Sequence, residues 1–228
     1  LLKYEMCQAI TLVGRTSYRS FRNVWMLEEL GFGYSHVLAY PGSKLARSHH
    51  ELGKIPVLHD DKIKIMESAA INTYLGDKFS PGNLVPLTPR PLYEQTVHMI
   101  VSELDSQGLW IHRKHESMWK VFGKIPEAVI EAKRNFKNSN RVLIKQLGEN
   151  DFILGNNFTA ADILWVHTLD WAESIGWNDA WAASNDSRIM QLYLERCRSR
   201  PAYIQTVRKK QAEEEEEKLK KKMKTSKM

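Results

Sequence analysis

The sequence predicts an α/β domain followed by an all-α helical domain, on three observations. The first third alternates short strand-type runs with helix-type periods. Four of the eight prolines crowd between Pro81 and Pro91. Beyond them every apolar pattern has a helical period. The boundaries read as residues 1–80 for the first domain, 81–91 for a linker, 92–210 for the helical domain and 211–228 for a charged Lys/Glu-rich tail.

In chain order, Ala9 to Val13 reads as a short buried strand. After the polar break Arg15-Thr16-Ser17, the spacing of Phe21, Val24, Trp25, Leu27 and Leu30 predicts a helix that Gly31 and Gly33 end. Tyr34 to Tyr40 is a second strand, and Pro41 to Gly53 is irregular with room for one short helix. Ile55 to Leu58 and Lys62 to Met66 form a hairpin across Asp60-Asp61. Ser68 opens a helix to about Phe79. The order is βαβ and then ββα. Past the linker, long helices are expected over Tyr93–Met118, Pro126–Leu147 and Asn157–Ile175. Shorter ones are expected over Arg188–Cys197 and Pro201–Lys210, and the tail is expected to be solvated, as a frayed helix or disordered.

Composition excludes several classes. Hydrophobic residues at 43% and charged residues at 26% are those of an ordinary globular chain. No apolar run reaches the roughly 20 residues that span a bilayer, and no signal segment is visible in a chain that starts on Leu1. Cys7 and Cys197 show no metal or CxxC spacing, which points to a reduced intracellular protein. The net charge of +6 is half tail, since eight lysines against five glutamates from Lys209 to Met228 leave +3. A near-balanced body argues against a nucleic-acid partner. The histidines lack the carboxylate partners of a metal site, so no metal is expected.

Four places carry chemistry. In Lys54-Ile55-Pro56-Val57, an X-Pro bond at a strand entry tolerates a cis peptide, which would turn the Ile55 backbone groups toward an extended peptide ligand. The alternative is a plain edge-strand proline. Glu67-Ser68 stands at a helix start, where N–H groups favour an anion and the Glu67 carboxylate suits an amine. Ser17 lies between a strand and a helix, placed to donate a hydrogen bond to a thiolate, with Thr16, Tyr18 and Ser20 near enough to compete. Thr159 followed by Asp162 is a capping-box variant whose job is structural.

Together, Ser17, Lys54-Ile55-Pro56, Glu67-Ser68 and Thr159-x-x-Asp162 resemble the cytosolic glutathione transferase family, over about Ala9 to Arg208. Phe152-Ile-Leu-Gly155 and Arg200-Pro-Ala-Tyr203 look like further landmarks of it. His50-Glu51 stands where the family usually has Asn-Pro, and the Ser-Ser-Cys of the maleylacetoacetate isomerase branch is missing. Counted back from Arg22, Ser17 falls where the serine-type enzymes carry their hydroxyl. The resemblance implies a thioredoxin-like first domain that holds glutathione as co-substrate. Ser17 would then be catalytic, and Lys54, Ile55, Glu67 and Ser68 would bind the tripeptide. It implies a small hydrophobic electrophile as second substrate, a homodimer, and a cytoplasmic detoxification role without nucleic acid or membrane. Two alternatives stand beside it: a non-catalytic interaction module of the same fold, and a glutathione-dependent isomerase or reductase. Trp110, Arg113 or His115 would shape the second-substrate pocket, and Glu103 or Asp105 would reach across the dimer. Ser226-Lys227-Met228 resembles a peroxisomal address, the alternative to the cytoplasm.

Overall fold

A computed structural model describes residues 10–182 and 187–225. The chain divides into two compact units. One holds the chain as far as Ser80 together with Ser199 onward, and the other is Pro81–Arg198.

The first unit is built on a four-stranded mixed sheet in the order β2-β1-β3-β4. Its strands are β1 (Thr11–Val13), β2 (Ser35–Val37), β3 (Val57–Asp60) and β4 (Ile63–Met66). β1 runs parallel to β2 and antiparallel to β3, and β3 and β4 form the expected hairpin, with Asp61 at φ 52° in its turn. Leu12, Val13, Val57 and Leu58 have no exposed surface, as inner strands require. α1 (Ser20–Leu30) buries Val24, Trp25 and Leu27, and α3 (Ser68–Phe79) buries Ile71 and Leu75. Gly31, at φ 70°, closes α1 by returning its N–H to the Leu27 carbonyl at 3.1 Å. The irregular stretch after β2 contains α2 (Lys44–His49), capped by the Ser43 hydroxyl, which accepts from the Ala46 N–H at 3.1 Å.

The end of the chain departs from the sequence expectation. Residues 199 onward join the first unit, rather than closing the helical domain at 210, and α11 (Pro201–Thr225) continues through the Lys/Glu run. The reason is pairing. Glu217 and Lys221 lie 2.5 Å apart at i,i+4, and Glu216 pairs with Lys220 in the same way. On its inner side Arg200 forks onto Glu29 with both bonds at 2.7 Å, Lys209 reaches Glu28 at 2.5 Å, and Glu213 is buried. A count of apolar residues misses a helix held by ion pairs.

The second unit is helical. α4 (Arg90–Met99) passes into a π-helical stretch, Ile100–Leu109, then α5 (Trp110–His112), a second π-helical turn, Arg113–Ser117, and α6 (Trp119–Phe122). The wide turn lets Gly108 lie against Phe136 of α7 (Pro126–Leu147), where a Cβ would stand 3.1 Å from the ring. α8 (Ala160–Ser174) is the buried centre, followed by α9 (Asp179–Ala182) and α10 (Ser187–Arg198). The capping box at Thr159 is present, and Asp162 accepts from the N–H groups of Thr159 (2.8 Å) and Ile153 (2.9 Å) and from the Tyr193 hydroxyl (3.0 Å). No helix among the described residues is long and apolar enough to cross a membrane. The peroxisome-like Ser226-Lys227-Met228, Cys7 and Ala9 lie outside the described residues.

Candidate functional site

Strand register gathers the candidate residues at one edge of the sheet. Val13 stands opposite Val37 on one side and Val57 on the other, and Val57 stands opposite Met66. β1 therefore leaves the sheet toward Gly14–Ser17 at the edge where Ile55-Pro56 enters β3 and where β4 gives way to Glu67-Ser68. The carboxyl ends of the parallel pair β1 and β2 open there too, the usual place for a ligand in an α/β sheet.

Gly14 fastens this edge. Its φ is 134°, and a Cβ would stand 2.3 Å from Ser20 Oγ and 2.9 Å from Ile55 Cβ, so only glycine lets strand end, helix start and Ile55 meet. Its N–H donates to the Val37 carbonyl at 2.9 Å, and its own carbonyl lies 2.6 Å from His36 Nε2. Ser20 Oγ is buried there without a hydrogen-bond partner. Ser17 is exposed and stands three residues ahead of α1, whose N-cap position is Arg19. Its neighbour Thr16 is buried.

The Ile55–Pro56 peptide is cis, with Pro56 buried and Ile55 packed beside Val13, Ala39, Ala46 and Val57. Lys54 is exposed. Glu67 is exposed and holds φ 67°, ψ 117°, a conformation that costs a non-glycine residue about 1–3 kcal/mol and recurs at ligand sites. Ser68 is buried at the first turn of α3. Its Oγ accepts from Arg22 Nη1 at 3.2 Å and its carbonyl accepts from Asn23 Nδ2 at 2.9 Å. Asn23 also donates to Asn72 Oδ1 at 2.7 Å, and Asn72 donates to the Arg22 carbonyl at 3.2 Å. In the sequence Arg22 stands out only as the landmark from which Ser17 is counted. The signal that could have found it is an arginine on the apolar face of α1, beside Phe21 and Trp25, where a buried guanidinium needs a polar partner.

α11 also reaches this edge. Glu213 Oε2 accepts from the Thr16 N–H at 3.0 Å, and its Oε1 accepts from the Thr16 hydroxyl. Glu214 Oε1 accepts from Ser17 Oγ at 3.0 Å. Arg15 donates to the Glu213 carbonyl at 2.8 Å, lies 3.6 Å from the Glu217 carboxylate and stacks 4.7 Å over the Tyr40 ring. His36 Nδ1 is 3.8 Å from Glu213. Burial holds His36 below its ordinary range, with the charges of Lys209 and Arg15 adding to the effect, so this imidazole is neutral at pH 7. The hydrogen bond to Glu217 raises the Tyr40 phenol.

In the second unit Trp110 is half-buried with Arg113 5.8 Å from its ring, and His115 Nδ1 meets the Gly123 carbonyl at 2.9 Å. Asp105 is buried, which sets it apart from an exposed acid waiting for a partner subunit, while Glu103 meets Asn135 Nδ2 at 3.4 Å. Among the described residues no group of three or more His, Cys, Asp or Glu could hold a metal ion.

A mixed β2-β1-β3-β4 sheet, with Ser17, Ile55 and Ser68 gathered at one edge, followed by an all-helical unit, is the architecture of the glutathione S-transferases: a thioredoxin-like first domain and a helical second one. Residues 8–77 match the family model Glutathione S-transferase, N-terminal domain. Glutathione S-transferase F14 of Arabidopsis thaliana is 23% identical over 163 residues, covering 68% of this chain and 63% of that protein. The chain thus spans between 56% and 66% of the length of the curated relatives it matches. Glutathione transferase F2 from Populus trichocarpa matches at a TM-score of 0.74 and 14% identity, covering 89% of this chain and 99% of that one. The theta class glutathione S-transferase from Xanthomonas axonopodis pv. citri, with glutathione bound, matches at 0.68 and 21% identity, covering 88% and 97%. At those identities the two structures speak for the fold alone. Residues 8–77 thus carry the glutathione S-transferase N-terminal domain, and the chain is a distant homologue of the glutathione S-transferases, with no class assigned.

Proposed function

We propose that the chain is a glutathione transferase that activates the glutathione thiol and passes it to a small hydrophobic electrophile, as a cytoplasmic homodimer. The observation that carries this is the register, which brings the Ser17 loop, Ile55-Pro56 and Glu67-Ser68 to one sheet edge. The Ile55 backbone pairs with the extended tripeptide as an added strand would. Ser68 Oγ accepts from Arg22, so its own proton is free to donate to the γ-glutamyl carboxylate beside the first-turn N–H groups of α3. Glu67 meets the ligand amine, and Lys54 offers a cation to the tripeptide's other carboxylate. Ser17 donates to the sulfur, which favours the thiolate. The thiolate attacks the electrophilic carbon, a C–S bond forms, and the displaced group leaves with its electron pair.

A second reading, a non-catalytic interaction module, is favoured by Glu214 taking the Ser17 hydroxyl. Turnover across a panel of electrophiles separates the two. The proposal expects glutathione-dependent conjugation that Ser17→Ala lowers. Glutathione binding with no turnover on any electrophile favours the module.

A further inference from the structure

Ser17 has one hydroxyl proton, and α11 claims it. The contact sits between firmer ones, since Glu217, beyond it, lies 3.6 Å from Arg15 and shares a hydrogen bond with Tyr40. Toward the start of the helix the seating is firm: Arg200 forks onto Glu29, and Thr206 and Glu213 are buried. Glu213 then holds both the N–H and the hydroxyl of Thr16, and Arg15 returns a bond to the Glu213 carbonyl. Glu214 reaches Ser17 by a single exposed hydrogen bond, and Leu219, further on, is 61% exposed. The sequence singled out this run as a solvated tail, and the glutathione chemistry leaves it unused.

The run bears on the thiol in two ways. A hydroxyl donates one hydrogen bond at a time, so a Ser17 that serves Glu214 cannot serve a sulfur. A carboxylate beside the sulfur also disfavours the thiolate through like charge. The charged and titratable groups around Ser17 and its loop include Arg15, Tyr18 and Arg19 on the loop, His36 in β2 and Tyr40 beyond it, and Lys209, Glu213, Glu214, Glu216 and Glu217 on α11. Arg15 already faces Glu213 and Glu217, and His36 is neutral at pH 7, so neither leaves a spare positive charge to offset Glu214.

We propose that the acidic run of α11 is a built-in gate on the thiol site, in which Glu214 competes with the glutathione sulfur for the Ser17 hydroxyl. The inference rests on the glutathione reading above. Glu213 anchors the helix over the loop, and Glu214 is the exchangeable contact. Glutathione activation then requires the Glu214 side chain to give up Ser17 while Glu213 stays seated on Thr16 and Glu217 stays beside Arg15.

The test uses the full chain, its Glu214→Ala and Ser17→Ala variants, and the double variant. Glu214→Ala leaves the Arg200, Lys209 and Glu213 anchors in place, and circular dichroism checks that the helix is retained. Glutathione affinity is measured by calorimetry, the pKa of the bound thiol by its thiolate absorbance, and turnover with a chlorodinitrobenzene. Glu214→Ala is expected to lower the bound thiol's apparent pKa by about one unit and raise turnover below that pKa about tenfold. In the Ser17→Ala background the same change should give a much smaller gain, the like-charge part alone, because the competition runs through that hydroxyl. Bound glutathione whose pKa and turnover do not respond to Glu214→Ala overturns the gate alone. A gain that persists undiminished without Ser17 overturns it too. Absence of glutathione binding in every form overturns the gate and the glutathione reading together.

Discussion

At the scale of single residues, the site depends on which partner each polar group already has. Ser68 accepts from a buried arginine and therefore can donate outward. Ser68→Ala should raise the glutathione dissociation constant about tenfold, the worth of one hydrogen bond to a charged group. Because Arg22 then loses a partner while buried, the same variant should also lose about 1–3 kcal/mol of stability in urea unfolding. Undiminished affinity would remove Ser68 from the site. Ser17→Ala should lower turnover about 10–100-fold and raise the apparent pKa of the bound thiol while leaving affinity within about twofold, since in the proposed complex the sulfur is the one ligand atom the hydroxyl meets. An unchanged pH–rate profile would move the role to Tyr18 or a backbone N–H. Ser17, Ile55 and Glu67-Ser68 could be put forward as candidates from the sequence because each is a short local pattern. Arg22 and the α11 glutamates were not, since their meaning comes from partners 46 and 197 residues away.

At the scale of elements, two joints are testable. Gly14 lies where strand, helix and Ile55 converge. Gly14→Ala would put a methyl group against Ser20 and Ile55 at a φ of 134°, so it should cost several kcal/mol, above the ordinary range of about 0.5–3 for a point change, and should weaken glutathione binding as well. Stability within 1 kcal/mol of wild type would show the joint to be slack. In the second unit, burial raises the Asp162 carboxyl to about 6 against the hydrogen bonds from Ile153, Thr159 and Tyr193. Its folded pKa thus lies above the unfolded value of 3.8. The folded chain holds the extra proton between those values. The group's contribution is full below about pH 4 and lost as pH rises through about 6, on the order of 3 kcal/mol. The stability difference between wild type and Asp162→Asn should therefore shift toward the variant from pH 4 to pH 7, read by urea unfolding. A flat difference would mean that the carboxyl titrates at its ordinary value. The helices were legible because apolar spacing and caps are local. The π-helical stretch was not, since the close approach of Gly108 to Phe136 belongs to the packing of two helices.

At the scale of the whole molecule, the division into an α/β unit and a helical unit was readable from the proline-rich stretch and the change of period. The return of residues 199 onward to the first unit was not. That return is encoded in scattered charges: Arg200 for Glu29, Lys209 for Glu28, Glu213 for Thr16. Such pairs carry no periodicity. They tie the sheet edge at Thr16 and Ser17 to Glu213 and Glu214, so a truncation chosen from the sequence boundary at 210 would remove the contacts those loop residues make. The proposed homodimer should give twice the chain mass by light scattering at micromolar concentration, and a monomer mass there would contradict it. The most direct measurement of the central claim is titration of the full chain with glutathione by isothermal calorimetry, alongside Ser68→Ala. The account predicts saturable binding with one site per chain and about tenfold weaker binding in the variant. No heat of binding to the wild type at millimolar glutathione would contradict it.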